Sequence, residues 1–179
     1  MRPEKKFRPA CVRPKRWFRR EEYKKVQKQK VFGMTTSSGK VLAICLPMHF
    51  TAAKLAGLVA SRVHPFLRQS VPEKQRFRLL FDGEGVLHAE PAKTVMDQRN
   101  IVPLENWPKY SPDLNPQEHV WKEAEERLRQ KEHDSDTFEM FQRRCVDAVK
   151  KYSASSRLVG SMAKRMRLVI EKHGAMIEK

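Results

Sequence analysis

The sequence has 179 residues, of which 40% are hydrophobic, so it predicts a single folded domain with one modest core and basic extensions. Its formal net charge of +16 indicates a polyanionic partner, nucleic acid first and an anionic membrane surface second, because Lys and Arg displace counterions from phosphates. No stretch approaches the roughly 20 apolar residues of a transmembrane helix, and the three widely spaced cysteines indicate neither a disulfide scaffold nor a zinc site.

The positive charge is concentrated in the first 30 residues, which hold thirteen Lys and Arg against three Glu. Trp17, Phe18 and Tyr23 lie among these cations and could stack on bases or pack against protein. A solvated or disordered tail and a DNA-contacting arm both fit this pattern. If the segment is an arm, its candidate DNA-binding residues are Arg13, Lys15, Arg16, Arg19, Arg20, Lys24 and Lys25.

Two apolar runs, 30–36 and 41–47, are separated by the turn residues Ser37-Ser38-Gly39 and predict a β-hairpin. Residues 51–68 carry apolar side chains at helical spacing, and Thr51 is placed to cap that helix. A helix that covers a sheet is the expected arrangement.

Further along the chain, residues 76–82 form a strand-like run that ends in an acid and a glycine. Residues 89–98 predict a helix and residues 101–105 a short strand.

A strong helix is predicted at 116–130, where Asn115 can cap, Pro116 suits the first helical position and Glu118 can pair with Lys122. Its expected buried stripe is Val120, Trp121, Ala124 and Leu128. Two amphipathic helices should follow, at 137–152 and 156–172. Their apolar faces are Phe138, Phe141, Cys145 and Val149 in the first, and Leu158, Met162, Met166, Val169 and Ile170 in the second.

The segment 107–121 reads Trp-Pro-Lys-Tyr-Ser-Pro-Asp-Leu-Asn-Pro-Gln-Glu-His-Val-Trp. It resembles the hallmark string of mariner-like transposases of the Asp-Asp-Glu superfamily, in which the matching Glu is the last catalytic, metal-binding carboxylate. The resemblance therefore implies that Glu118 has this role. A helix-start acid without catalytic function is the alternative, since the helix dipole favours a carboxylate there.

Upstream, residues 79–82, Leu-Leu-Phe-Asp, resemble the family's strand that ends in the second catalytic Asp, here Asp82. The 35 residues between Asp82 and Glu118 are one more than the family's usual interval. His88 and Glu84 are accessory candidates, with a surface His and a solvated loop acid as the alternatives. For Asp113 an Asx-type bond to the backbone is the expected, structural role.

The family's first Asp has no counterpart, because residues 1–30 contain no Asp, and residues 7–18 resemble the segment that follows the first strand. The implied fold is an α/β, RNase H-like (retroviral-integrase-like) mixed sheet flanked by helices, lacking its first, central strand and followed by a helical C-terminal extension. Its predicted parts are a basic, partly disordered segment at 1–29, the partial catalytic domain at 30–132 and C-terminal helices at 133–179. Loss of the central strand should leave two unpaired strand edges.

The function implied by the resemblance is DNA cleavage and strand transfer in DNA transposition and integration, with Mg²⁺ or Mn²⁺ as cofactor and DNA as partner. Because the first Asp is not found, we expect this chain to be inactive alone, and whether it is an enzyme stays open. The alternative is a non-catalytic, basic DNA-binding protein derived from a transposase. A nuclear (in a bacterium, nucleoid) location is expected, no membrane association is expected, and a homodimer is an open alternative.

Overall fold

The computed structural model describes residues 7–9, 27–81, 89–104, 107, 111, 113–130, 137–152, 155–175 and 177. Within them, strands β1 to β5 are Phe7–Pro9, Gln27–Thr35, Val41–Leu46, Phe77–Leu79 and Ile101–Pro103. Helices α1 to α7 are Ala52–Leu58, His64–Ser70, Glu90–Gln98, Pro116–Gln130, Phe138–Lys150, Ser155–Gly160 and Met162–Glu171. None of the described helices is long and apolar enough to cross a membrane.

The chain divides into two compact units, which are described in turn. The first consists of Met1–Thr35, Val41–Met48 and Gln117–Ser155, and the second of Thr36–Lys40, His49–Pro116 and Ser156–Lys179.

In the first unit, β2 and β3 are antiparallel, with Lys30 opposite Leu46 and Thr35 opposite Val41. This confirms the predicted hairpin, although β2 begins three residues earlier than expected, at Gln27. The turn between the strands contains Gly39 at φ 80°, a backbone conformation that glycine adopts without steric cost.

Strand β1 lies parallel to β2, with Phe7 opposite Gln27 and Pro9 opposite Gln29. An unpaired edge, of the kind expected where the central strand is lost, is absent from β2 over these three residues. An exposed row of backbone N–H and C=O groups pairs with any available extended segment, and Phe7–Pro9 supplies one here.

Helix α5 is joined to this sheet by polar bonds of buried and half-buried side chains. Gln29 is 3% exposed, its Nε2 donates to the Leu46 carbonyl at 2.7 Å, and its Oε1 accepts from Gln142 Nε2 at 2.5 Å. Cys45 Sγ donates to the Gln142 carbonyl at 3.5 Å, and burial raises the pKa of that thiol. The predicted apolar face of α5 is largely confirmed, with Phe141, Cys145, Ala148 and Val149 buried.

In the second unit, the helix predicted at 51–68 begins as expected, because the Thr51 side chain accepts from the Lys54 N–H. It is interrupted by a π-helical turn, Val59–Val63, that joins α1 to α2. Pro65 follows directly, and it lacks the N–H that an α-helix would use there. The predicted helix at 51–68 is confirmed, and this π turn lies within it.

The π turn keeps one stripe of side chains buried. Leu55, Val59, Val63 and Leu67 recur at every fourth position and are all at most 4% exposed. In an α-helix each four-residue step drifts by about 40°, so such a stripe would turn away from the core. A turn with more residues per revolution removes this drift, which is a packing reason for the π geometry.

Strands β4 and β5 are parallel, with Phe77 opposite Ile101, and both side chains are buried together with Ala92 and Met96 of α3. Among the described residues, β4 pairs with β5 alone. Asn100 starts the return to β5 at φ 54°, a left-handed conformation that Asn tolerates.

The helix predicted at 156–172 is divided at Ser161 into α6 and α7. Leu158 of α6 is buried, but Met166 and Ile170 of α7 are 41% and 75% exposed. The predicted buried face was therefore wrong for α7, which has no buried residue.

His64, at the start of α2, lies between apolar and cationic neighbours. Its ring meets that of Phe77 edge-on at 6.2 Å between centroids, and its Nδ1 is 3.5 Å from an Arg99 guanidinium nitrogen. Burial, and then the positive charges of Arg99 and Arg68, lower the pKa of His64.

We expect His64 to make folding stability depend on pH. Its folded-state pKa is lowered, so the stabilisation is complete above the ordinary histidine pKa of about 6.5 and is lost as the pH falls through the lowered value. Thermal unfolding measured between about pH 7 and pH 5 should show a smaller decline for His64→Gln than for the wild type. His49→Gln removes an exposed histidine from the same unit and should keep the wild-type decline; equal declines for both variants would contradict the assignment.

Candidate functional site

Glu118 lies in the first turn of α4, which begins at Pro116 as predicted. Pro suits this position because the first N–H groups of a helix have no intrahelical partner. The helix dipole places partial positive charge at the same end, which favours a carboxylate. Glu118 as a residue is half-buried.

Glu118 makes no hydrogen bond or ion pair with any other described residue, and the predicted pair with Lys122 is absent. Lys122 is exposed, and an exposed Lys gains little from such a pair after the entropy cost of ordering its side chain. Further along α4 the ion pairs are Glu123–Arg127 and Glu125–Arg129. The Glu118 carboxylate is thus the chemically available one at the start of this helix.

Two neighbours of Glu118 on α4 contact strand β2. Thr35 Oγ1 donates to Gln117 Oε1 at 3.0 Å. The Trp121 ring lies against Gly33, where an added Cβ would be 2.6 Å from Trp121 Cη2 and 2.7 Å from Cζ2. Of the predicted buried stripe of α4, Val120 and Ala124 are buried, whereas Trp121 and Leu128 are half-buried.

Gly33, Thr35 and Gln117 are not among the residues that the sequence predicted for this site. A glycine inside a strand often marks a close approach by another group, and Gly33 carried that signal. The signal does not say which group approaches, because the Trp121 ring that lies against Gly33 is remote from it in the sequence.

Asp113, in the turn before α4, is 5% exposed, and its Oδ2 accepts from the Ile177 backbone N–H at 3.2 Å. A structural role for Asp113 was predicted, with a bond to the backbone, but the partner found is remote rather than local. The turn itself is closed by the Leu114 N–H, which donates to the Ser111 carbonyl at 3.1 Å. Ile177 is also buried, so Asp113 anchors a C-terminal residue.

The other candidate site residues lie outside the described residues. These are Asp82, Glu84, His88 and the head cations Arg13, Lys15, Arg16, Arg19, Arg20, Lys24 and Lys25. Strand β4 and the residues up to Phe81, which precede Asp82, are described. In the described part of the chain, no group of three His, Cys, Asp or Glu side chains could hold a metal ion. The metal and DNA assignments therefore stay predictions.

Residues 4–141 match the family model of the DDE superfamily endonucleases. The Tc1 transposable-element transposase of Caenorhabditis elegans is 36% identical over 77 residues, which are 43% of this chain and 28% of that protein. The chain thus spans less than a third of that relative's length.

Among solved structures, the Mos1 mariner transposase catalytic domain aligns with TM-score 0.64 and 18% identity, over 79% of this chain and 72% of that one. A second Mos1 catalytic-domain structure, with raltegravir and Mn, has TM-score 0.64 and 16% identity, over 84% and 83%. These likenesses confirm the predicted α/β, RNase H-like fold class.

Replacing Asp113 by Ala should destabilise the folded chain by about 1–3 kcal/mol, because the buried Ile177 N–H loses its acceptor. Urea unfolding measures the loss, and amide hydrogen exchange should show faster exchange at Ile177. Asp113→Asn keeps an acceptor oxygen and should lose less. Glu73→Ala removes an exposed acid from a loop of the same unit and should leave stability almost unchanged. An Asp113→Ala variant as stable as Glu73→Ala would show that the bond between Asp113 and the Ile177 N–H does not stabilise the fold.

Proposed function

The chain belongs to the DDE superfamily endonucleases, and from that premise we propose that its Asp82 and Glu118 bind divalent metal for DNA cleavage and strand transfer. The single observation that carries the proposal is the Glu118 carboxylate, which is half-buried, placed in the first turn of α4, and unpaired among the described residues.

The donor chemistry of Glu118 fits a hard divalent cation, because Mg²⁺ and Mn²⁺ prefer carboxylate oxygens. Solved Mos1 catalytic domains with Mn and with Mg are structural neighbours of this chain. When bound, such ions activate the attacking oxygen and stabilise the leaving oxygen of a phosphodiester. The protein's own contribution is to hold the two carboxylates in place, with Glu84 and His88 as accessory groups.

The proposal assigns two acids to this chain, whereas the family resemblance implies a third. Residues 1–30 contain no Asp. We therefore expect the isolated chain to bind metal and DNA without cleaving the DNA or completing transposition. Mg²⁺-dependent cleavage of a transposon-end duplex that disappears in Asp82→Ala would overturn this expectation.

A second candidate function, DNA binding without metal chemistry, is supported by the net charge of +16. The proposed DNA contacts are the seven head cations. A DNA partner also supports a nuclear or nucleoid location, and a homodimer is proposed as the assembly. Metal binding is the property that separates the two functions, since the second does not need it.

For metal binding, we expect Mn²⁺ titrated into the full chain by calorimetry to bind at least about tenfold more weakly to Glu118→Gln and to Asp82→Asn than to the wild type. Each substitution removes one charged ligand and keeps the side-chain size. Glu126→Gln makes the same change at an exposed position of α4 and should bind Mn²⁺ like the wild type. If all three variants kept wild-type affinity, the DNA-binding function without metal would be favoured.

For DNA binding, we expect the affinity for a duplex to fall steeply with salt. Changing Arg13, Lys15 and Arg16 to Gln together should reduce the slope of log K against log[salt] by up to about 3, since each phosphate contact contributes about 0.9. The triple variant Lys164→Gln, Arg165→Gln, Arg167→Gln loses the same charge from α7 and should keep the wild-type slope. Equal slopes for the head variant and the wild type would remove these cations from the DNA contact.

A further inference from the structure

We propose that Thr35, Gln117 and Gly33 are positioning residues for the Glu118 carboxylate. They fix its position because they pack the first turn of α4 against strand β2. The inference rests on the proposed metal-binding role of Glu118. All the contacts that carry it lie within the first unit.

The first contact is polar and acts directly beside Glu118. Thr35, the last residue of β2, donates through Oγ1 to Gln117 Oε1 at 3.0 Å. Gln117 precedes Glu118 in the chain, so the bond restrains the backbone that carries the carboxylate. A hydrogen bond is directional, and it therefore restrains rotation of the helix as well as distance.

The second contact is steric and lies one helical turn later. A Cβ at Gly33 would be 2.6 Å from Trp121 Cη2 and 2.6 Å from Gln117 Nε2. Real carbon contacts of this kind are about 3.5–4.0 Å, so any side chain at Gly33 would push α4 away or displace these groups. The Gln117 amide could rotate away, but it would then lose its bond to Thr35. The Trp121 ring is rigid and has less freedom to yield.

The two contacts are placed to determine where Glu118 points. Gln117 and Trp121 are four residues apart and share one face of α4. At about 100° per residue, Glu118 lies about 100° from Gln117 and about 60° from Trp121, at the border of the packed face. Contacts at both ends of one turn set the tilt and the rotation of that turn. A metal ligand needs both the tilt and the rotation of its helical turn to be fixed, because coordination requires oxygens within a few tenths of an ångström of their ideal distances.

A purely structural role of the same contacts would predict a loss of stability alone. A positioning role predicts a loss of metal affinity in variants that remain folded. Thr36 offers a matched comparison, because its Oγ1 bonds to Ser38 Oγ at 2.9 Å and to the Lys40 carbonyl at 3.1 Å within the turn. Thr36→Val therefore removes a hydroxyl whose hydrogen bonds lie within the turn.

The test is Mn²⁺ titration of the full 179-residue chain, with circular dichroism and thermal unfolding on each variant. We expect Thr35→Val to bind Mn²⁺ about tenfold more weakly and Thr35→Ser, which keeps the donor, to bind it as the wild type does. Thr36→Val should lose stability and keep its Mn²⁺ affinity. Gly33→Ala should weaken Mn²⁺ binding, and the double variant Gly33→Ala, Trp121→Phe, which removes the outer ring atoms, should recover part of it.

Glu118→Gln separates the inference from the function on which it rests. If Glu118→Gln binds Mn²⁺ like the wild type, the proposed metal site is wrong. If Glu118→Gln weakens binding but Thr35→Val and Gly33→Ala do not, the metal site stands and the positioning role is overturned. If Thr35→Val and Thr36→Val lose affinity equally, the effect is one of general stability and the positioning role is again overturned.

Discussion

The contact of α4 with strand β2 at Gly33 is the constraint on which the candidate site depends. A helix approaches a strand this closely only where the strand has no side chain, and Gly33 provides that gap for the Trp121 ring. The bond from Thr35 to Gln117 then acts at the helix end that carries Glu118. Steric fit sets how near the helix lies and the hydrogen bond sets its rotation, so neither alone would place the carboxylate.

The same division between apolar packing and polar bonds recurs in the rest of the chain. Apolar stripes bring elements together, as Leu55 and its i+4 successors do in the second unit, but apolar contact is not directional. Directional polar bonds set the orientation: the half-buried bond from Gln142 of α5 to Gln29 of β2, and the buried bond from the Ile177 N–H to Asp113. Breaking such a bond leaves a desolvated group unpaired, and this cost is what makes the bonds specific.

Periodicity and local motifs were enough to predict most of the elements. The β2–β3 hairpin, the Thr51 cap and the Pro116 start of α4 all depend on residues within a few positions of one another. The features that were missed depend on distant partners. The Gln29–Gln142 bond joins residues 113 apart, and the Asp113–Ile177 bond joins residues 64 apart. The π turn follows from the need to keep Val59 and Val63 on the buried face, and β1 is a three-residue strand, too short to show a period.

For the candidate site, the motif indicated Glu118 as a metal ligand, which stays a prediction, and did not indicate how that residue is held. A Glu in the first turn of a helix, followed four residues later by Lys, suggests an ion pair. Glu118 and Lys122 do not form one. An ion pair would immobilise the carboxylate and also neutralise it, which would weaken its attraction for a cation. A carboxylate that binds metal must be held in position and keep its charge. At Glu118, contacts made by neighbouring residues can hold the carboxylate without neutralising it. On α4, Gln117 and Trp121 make the restraining contacts, which leaves the charge of Glu118 available.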